Sequence, residues 1–180
     1  MSVLVFADST DGKFKKTAFE VVSYGKKVAE QLESNLVVLT INAADASELY
    51  TYGAEKVLTV SNDRLSTFNA KEYAALIVQA ANKENATVVV VDSSINVLYL
   101  TPLVAVGLEA GYASNTVAAP SSISPFTVKR KAFSNKAFSN TVISADKKVI
   151  GLAKNSFGIH EHPVAGTLEV FDAEVVASGV

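Results

Sequence analysis

Thr87-Val88-Val89-Val90-Val91-Asp92 holds four consecutive valines and stops at an acid. Successive side chains of a strand point to opposite faces, so a strand wet on one side would alternate apolar with polar residues. This one is apolar on both faces, the signature of a strand in a parallel sheet covered by helices. Working outward, similar runs recur at Val3 to Ala7, at Leu36 to Ile41 and, shorter, at Lys56 to Val60. Between the runs the period lengthens. Phe14, Ala18, Val21, Val22, Gly25, Val28, Ala29 and Leu32 share one helix face, opposite Lys15, Lys16, Glu20, Lys26, Lys27 and Glu30. A shorter helix through Ala46, Leu49 and Tyr50 should close at Gly53, a natural C-terminal cap. Asn69 with Glu72 has the form of a capping box ahead of the stripe Tyr73, Leu76, Ile77 and Ala80. A helix from Leu98 to Leu108 and a strand from Tyr112 to Thr116 follow. Strand–helix units in this order predict an α/β fold: a parallel sheet with helices on both faces.

The pattern changes after Pro120. Ser121-Ser122-Ile123-Ser124-Pro125 reads as a connector, and helical periodicity does not return. Phe126 to Ala132, Ala137 to Ser144 and Lys148 to Leu152 read as three strands joined by tight turns. Lys131-Ala132-Phe133-Ser134-Asn135 is repeated at once as Lys136-Ala137-Phe138-Ser139-Asn140. A five-residue offset would put Phe133 and Phe138 on opposite faces of one strand, so a hairpin turning at Ser134-Asn135-Lys136 is expected. A second turn is expected at Ala145-Asp146-Lys147, and Thr167 to Val176 reads as one more edge strand. The organisation predicted is a parallel core over residues 1–119, with an antiparallel β extension and tail of the same domain over 120–180.

Composition narrows the function. Hydrophobic residues make up 49% of the 180-residue chain and charged residues 19%, enough to fill a core and exclude disorder as the main state. A net charge of −2, from 16 basic and 18 acidic side chains, argues against binding nucleic acid. There is no cysteine, which removes thiol nucleophiles, disulfides and cysteine-ligated metals. No apolar run approaches the roughly 20 residues of a membrane span, and the N-terminus lacks the basic start of a signal peptide. Placement in the bacterial cytoplasm is the expectation.

Motifs for chemistry are sparse. No glycine-rich phosphate loop follows the first strand, which runs instead into Asp8-Ser9-Thr10-Asp11-Gly12. Asp92-Ser93-Ser94 should lie beside that loop at the carboxyl edge of the sheet, where open α/β sheets bind ligands. Asp8 and Asp92 could pair for metal binding or acid–base work, with His160 completing a hydrolase site; both aspartates also read as ordinary turn and capping residues. His160-Glu161-His162-Pro163 has a spacing that permits metal capture by both rings or a solvated loop, and no third ligand is suggested. Lys129-Arg130-Lys131 alternates faces in a strand and suits a protein contact better than RNA. No catalytic, cofactor-binding or metal-binding residue is assigned, and the chain is not expected to be an enzyme.

Several segments taken in order carry a resemblance. Val3-Leu4-Val5-Phe6-Ala7-Asp8 with Lys13-Phe14-Lys15-Lys16 and Ser23-Tyr24-Gly25 is similar to a family's first strand and helix. Tyr52-Gly53-Ala54-Glu55-Lys56-Val57, Pro102 through Ala110-Gly111 to Ser114, and Phe126 through Phe138 to Ile150 match its later segments. The layout over about residues 1–160 resembles the N-terminal domain of the alpha subunit of electron transfer flavoproteins. Asn135 stands where that family has a hairpin glycine. Val97, Leu98 and Leu103 stand where it has a glycine and basic residues.

The resemblance implies an adenine nucleotide alpha hydrolase-like, three-layer sandwich fold. It implies a scaffold for an alpha–beta heterodimer that carries electrons through FAD from flavin dehydrogenases of the acyl-CoA dehydrogenase type, a role tied to fatty acid beta-oxidation. The acceptor would be a membrane quinone oxidoreductase of the respiratory chain. The FAD belongs to a second domain of such subunits, so no FAD residue is carried over and this chain is expected to be a domain-sized piece; AMP belongs to the beta subunit. Lys129, Lys131, Phe133 and Phe138 are the candidate partner interface. The alternative is a stand-alone adenine-nucleotide-binding module resembling universal stress proteins.

Overall fold

A computed structural model describes residues 1–175. In chain order the strands and helices are β1 (Ser2–Phe6), β2 (Ser9–Thr10), β3 (Lys13–Phe14), α1 (Lys16–Gln31), β4 (Asn35–Ile41), β5 (Lys56–Val60), α2 (Ala70–Lys83), β6 (Ala86–Val91), α3 (Ile95–Gly107), β7 (Gly111–Thr116), β8 (Ser122–Ile123), β9 (Phe126–Ala132), β10 (Ala137–Val142), β11 (Lys148–Leu152) and β12 (Thr167–Val170). All but the short β2–β3 pair join one sheet in the order β10-β9-β7-β11-β6-β1-β4-β5-β12, with β8 paired to β9.

From β7 to β12 every pairing is parallel. The valines of β6 show why. Val88 and Val90 pack on one face with α1 residues Val21, Val22, Tyr24, Val28 and Ala29. Val89 and Val91 pack on the other with Tyr73, Leu76 and Ile77 of α2 and with Val97, Leu100 and Val104 of α3. Burying each such side chain is worth about 1.5–3 kcal/mol, so a strand supplying both layers is fixed firmly in the middle. The three-layer α/β expectation is met.

Helix α1 lies close on β1 at Gly25, where an added Cβ would come within 2.3 Å of Val5 Cγ2. The Asn69 side chain accepts hydrogen bonds from the N–H groups of Lys71 and Glu72, capping α2 as its sequence requires. The shorter helix is a 3-10 segment, Ala46–Tyr52, closed by Gly53 at φ 100°. Helix α3 begins three residues earlier than the periodicity suggested and runs through Pro102, which sits on its wet face.

The hairpin β9–β10 pairs Ala132 with Ala137 through to Thr127 with Val142. Phe133, Ser134 and Asn135 all adopt positive φ, so the turn starts one residue earlier than expected and Asn135 takes the left-handed conformation in place of a glycine. This antiparallel pair extends the main sheet, and β10 is its outermost strand.

One strand departs from the sequence reading. Lys148–Leu152 was expected as the third antiparallel strand, joined to the hairpin by a tight turn; β11 instead lies parallel between β6 and β7. Val149 packs on the α2–α3 side and Ile150 on the α1 side, so the strand is apolar on both faces, as a central strand must be. At the far edge, Thr167–Val170 forms the expected edge strand, parallel to β5. Val176, the last residue of that expectation, lies outside the described residues.

Candidate functional site

From β1 the chain moves outward through β4 and β5, then returns to place β6 on the other side of β1. The carboxyl ends of β1 and β6 therefore flank the switch point where α/β sheets take ligands. Asp8 follows β1 and Asp92 follows β6, so the topology brings together the two acids singled out in the sequence. Asp92 is buried and its Oδ1 accepts the Ser94 N–H at 3.0 Å, which makes it a turn-capping residue. Burial pushes the Asp8 carboxyl up to about 6, the charge of Asp92 adds to the rise, and Lys15 and the Ser9 N–H pull it back in part. The cleft beside them, about 150 Å³, is lined by Asp8, Thr10, Asp11, Phe68, Tyr73 and Asn96. Ser9 also lines it, with its hydroxyl engaged in donating to the Ile41 carbonyl at 2.6 Å. A pocket with this charge repels phosphate.

The pair has a measurable signature. Asp8 holds its proton in the folded chain to about pH 6 but only to 3.8 when unfolded, so folding stability falls as pH rises through that window. Asp8→Asn is expected to be more stable than the parent by about 1–2 kcal/mol at pH 7.5, the two converging near pH 4. Urea titrations at both pH values check this; a variant no more stable than the parent at pH 7.5 would show that folding does not raise the Asp8 carboxyl.

The loop after β11 does present an anion site, and the protein fills it. Glu20 was read from the sequence as part of the polar face of α1, but it is only 4% exposed. Its Oε1 accepts the N–H groups of Ser156, Phe157 and Gly158 at 2.9, 2.9 and 3.0 Å, and its Oε2 accepts that of Asn155 at 2.9 Å. Burial alone would push this carboxyl up, but the four N–H groups outweigh it and hold it below its ordinary value. A concave run of backbone N–H groups has no side-chain pattern and so leaves no mark in the sequence.

The histidines belong to a strap, residues 157–164, that crosses from this loop to the Ala46–Tyr52 turn. The His160 N–H donates to Ser23 Oγ at 3.0 Å, and the His162 N–H donates to the Thr51 carbonyl at 2.8 Å. The His160 ring stands edge-on to Phe157, while His162 Nε2 lies 3.9 Å from Glu30 Oε1. Their cleft, about 260 Å³, is also bordered by Lys26, Lys27 and Tyr52. His160 is bound to α1 through Ser23 and lines a different cleft from the one that holds Asp8. Among the described residues no group of three or more His, Asp or Glu side chains could hold a metal ion.

The four interface candidates come together on the hairpin. Lys129, Lys131 and Phe138 share one face, because Lys131 pairs directly with Phe138 and Lys129 lies two residues away. Lys129 Nζ sits 4.6 Å from the centre of the Phe138 ring. Phe133 projects from the turn, 79% exposed, and Phe138 is 61% exposed. From Phe126 to Ala145 the chain has four basic residues and no acid, so an overall acidic protein presents one cationic, aromatic edge. A second exposed surface is the outer side of α3, where Leu98 and Leu103 are exposed while Val97 is buried.

A family model described as "Electron transfer flavoprotein domain" matches residues 3–177. The electron transfer flavoprotein subunit alpha of Bacillus subtilis is 27% identical over 177 residues, covering 96% of this chain and 54% of that protein. Its counterpart in Clostridium acetobutylicum is 32% identical over 112 residues, 61% of this chain and 33% of the relative. The acryloyl-CoA reductase electron transfer subunit beta of Anaerotignum propionicum is 28% identical over 95 residues, 51% of this chain and 26% of the relative. The chain spans about half the length of the Bacillus subtilis relative. No helix among the described residues is long and apolar enough to cross a membrane.

Proposed function

Since this chain belongs to the electron transfer flavoprotein domain family, we propose that it acts as the N-terminal domain of an alpha subunit, a scaffold that docks a beta subunit through the β9–β10 hairpin. The observation that carries the docking assignment is the exposed pair Phe133 and Phe138 among Lys129 and Lys131 at the open edge of the sheet. A solvent-facing aromatic pair costs hydration free energy unless a partner covers it, and aromatic residues ringed by basic ones are the usual anchors of protein interfaces.

The intact protein would pass electrons from flavin dehydrogenases to a quinone oxidoreductase through FAD, in the bacterial cytoplasm, as an electron carrier and not an enzyme. The residues of this chain do not fit the flavin themselves. A pyrophosphate at the sheet's carboxyl edge would meet Asp8 and Asp11, with the charge of Asp92 close enough to act on Asp8, and the backbone N–H cluster that could receive it already holds Glu20. We therefore assign the flavin to the rest of the intact protein and AMP to the beta subunit. A stand-alone nucleotide module would face the same repulsion, and we set that alternative aside.

Light scattering and calorimetry of this chain with a beta subunit from the same genome test the proposal. A stable heterodimer is expected, and Phe133→Ser with Phe138→Ser should raise Kd about 100-fold, equivalent to roughly 2.7 kcal/mol. Affinity should also fall with added salt, through Lys129 and Lys131. Unchanged affinity in the double variant would overturn the hairpin assignment.

A further inference from the structure

The outer face of α3 is apolar except for Asn96 at its N-terminal margin. Ile95 is 74% exposed, Leu98 48%, Tyr99 69%, Leu103 42% and Val106 79%, and Pro102 lies open between them. From Ile95 to Leu108 there is no charged residue. The other two helices are different: α1 turns Lys16, Lys27 and Glu30 to solvent, and α2 turns Lys71 and Lys83. The inner face of α3 needs no help, since Val97, Leu100, Thr101, Val104 and Ala105 are already buried.

We propose that α3 is a self-association face, through which two copies of this chain pair helix against helix about a two-fold axis. The exposed positions 95, 98, 99, 102, 103 and 106 recur at steps of three and four, the spacing that lets one helix seat its side chains between those of another. The stripe also suits an antiparallel copy of itself. Ile95 and Val106 lie at its two ends with Leu98, Tyr99, Pro102 and Leu103 between them. Crossing two such helices sets Ile95 against Val106 of the second copy and brings the Tyr99–Leu103 surfaces together in the middle.

Charge favours a second copy as the occupant. A face that selected a charged partner would display complementary charges, and this one displays none. Two chains of net charge −2 can bring neutral surfaces together with little repulsion. The area fits as well. The five exposed side chains present on the order of 600 Å², at the top of the range for a monomer's largest apolar patch. Two copies would bury about 1,200 Å², the lower limit of a stable interface, so a weak, concentration-dependent dimer is expected. The proposal does not depend on the hairpin docking a beta subunit, because the hairpin is an edge of the sheet and α3 covers one of its faces.

Sedimentation velocity of the chain alone, from about 5 to about 300 µM, tests it. The expected result is a shift from the 19.0 kDa monomer toward twice that mass. Tyr99→Lys with Val106→Lys should abolish the shift while leaving circular dichroism unchanged, since both side chains already face water. A second variant guards against misfolding of the first: the chain has no cysteine, so Leu103→Cys with a short bis-maleimide should yield a cross-linked dimer. A wild-type chain that remains monomeric at every concentration overturns the proposal. So does a dimer that survives the double lysine variant, or a monomer that uses α3 only to bind the beta subunit.

Discussion

Glu20→Ala is expected to lower the unfolding free energy by about 3 kcal/mol, a loss of roughly 10 °C in Tm for a chain of this size. The variant strands the N–H groups of Asn155, Ser156, Phe157 and Gly158 in a partly closed pocket with no acceptor. A surface glutamate on a helix would cost only a few tenths of a kcal/mol, so the two descriptions of this residue differ about tenfold. Glu20→Gln should cost about half as much as Ala, because one amide oxygen can still accept while the NH₂ group faces a donor. The pH dependence has a definite sign. The folded carboxyl is held below its ordinary value, so its contribution is complete at neutral pH and fades as pH falls through the depressed value. Wild type and Glu20→Ala should accordingly converge in acid. Thermal melts at neutral and acidic pH decide it: a cost below 1 kcal/mol at neutral pH would mean that solvent replaces the carboxylate.

The second large effect is expected at Gly25. Gly25→Val should destabilise by about 3 kcal/mol, because its Cβ would sit 2.3 Å from Val5 Cγ2 and 3.2 Å from Leu36 Cδ1, in a packed layer without slack. Two opposing terms are involved. Replacing a mid-helix glycine normally gains up to about 1 kcal/mol of helix propensity, but forcing α1 away from β1 and β4 costs more. Gly25→Ala should therefore also destabilise, by a smaller margin, where a glycine in an open helix would show the reverse. Chemical denaturation of the two variants separates these possibilities, and a stabilising Gly25→Ala would show that α1 can shift freely.

Much of the fold was legible because burial on both faces leaves a local signature. Val88 to Val91 reports its own position in the sheet, and the stripe Ala18, Val21, Val22, Val28, Ala29 reports which side of α1 is covered. Asn69 and Gly53 mark helix ends because their chemistry acts within a few residues. Lys148–Leu152 was misplaced for the opposite reason. Its apolar run already had the look of a central strand, but its neighbours β6 and β7 lie far away in sequence, and no local rule chooses between them and the adjacent hairpin. Glu20 escaped notice since its partners are main-chain groups 135 residues and more distant. The apolar outer face of α3 was present in the letters as a run without charge, yet a helix apolar all round reads equally as one buried on every side. The hairpin candidates fared differently, because a repeat of five residues placed Phe133 and Phe138 in relation to each other and the turn did the rest.

The position of β11 has a consequence for how the chain is made. On a ribosome, β1, β4, β5 and β6 emerge first and can assemble in order, each beside a strand already present. β7 emerges next but has no place to pair, because the slot between it and β6 belongs to a segment still inside the tunnel. Until residue 152 is free, the nascent sheet exposes the valine-rich edge of β6, and β7 with its hairpin must wait as a separate piece. Closure is then a single late insertion that joins both halves at once. Such non-local pairing slows folding and lengthens the time an aggregation-prone edge is open, so chaperone demand should concentrate in the interval between synthesis of β6 and release of β11.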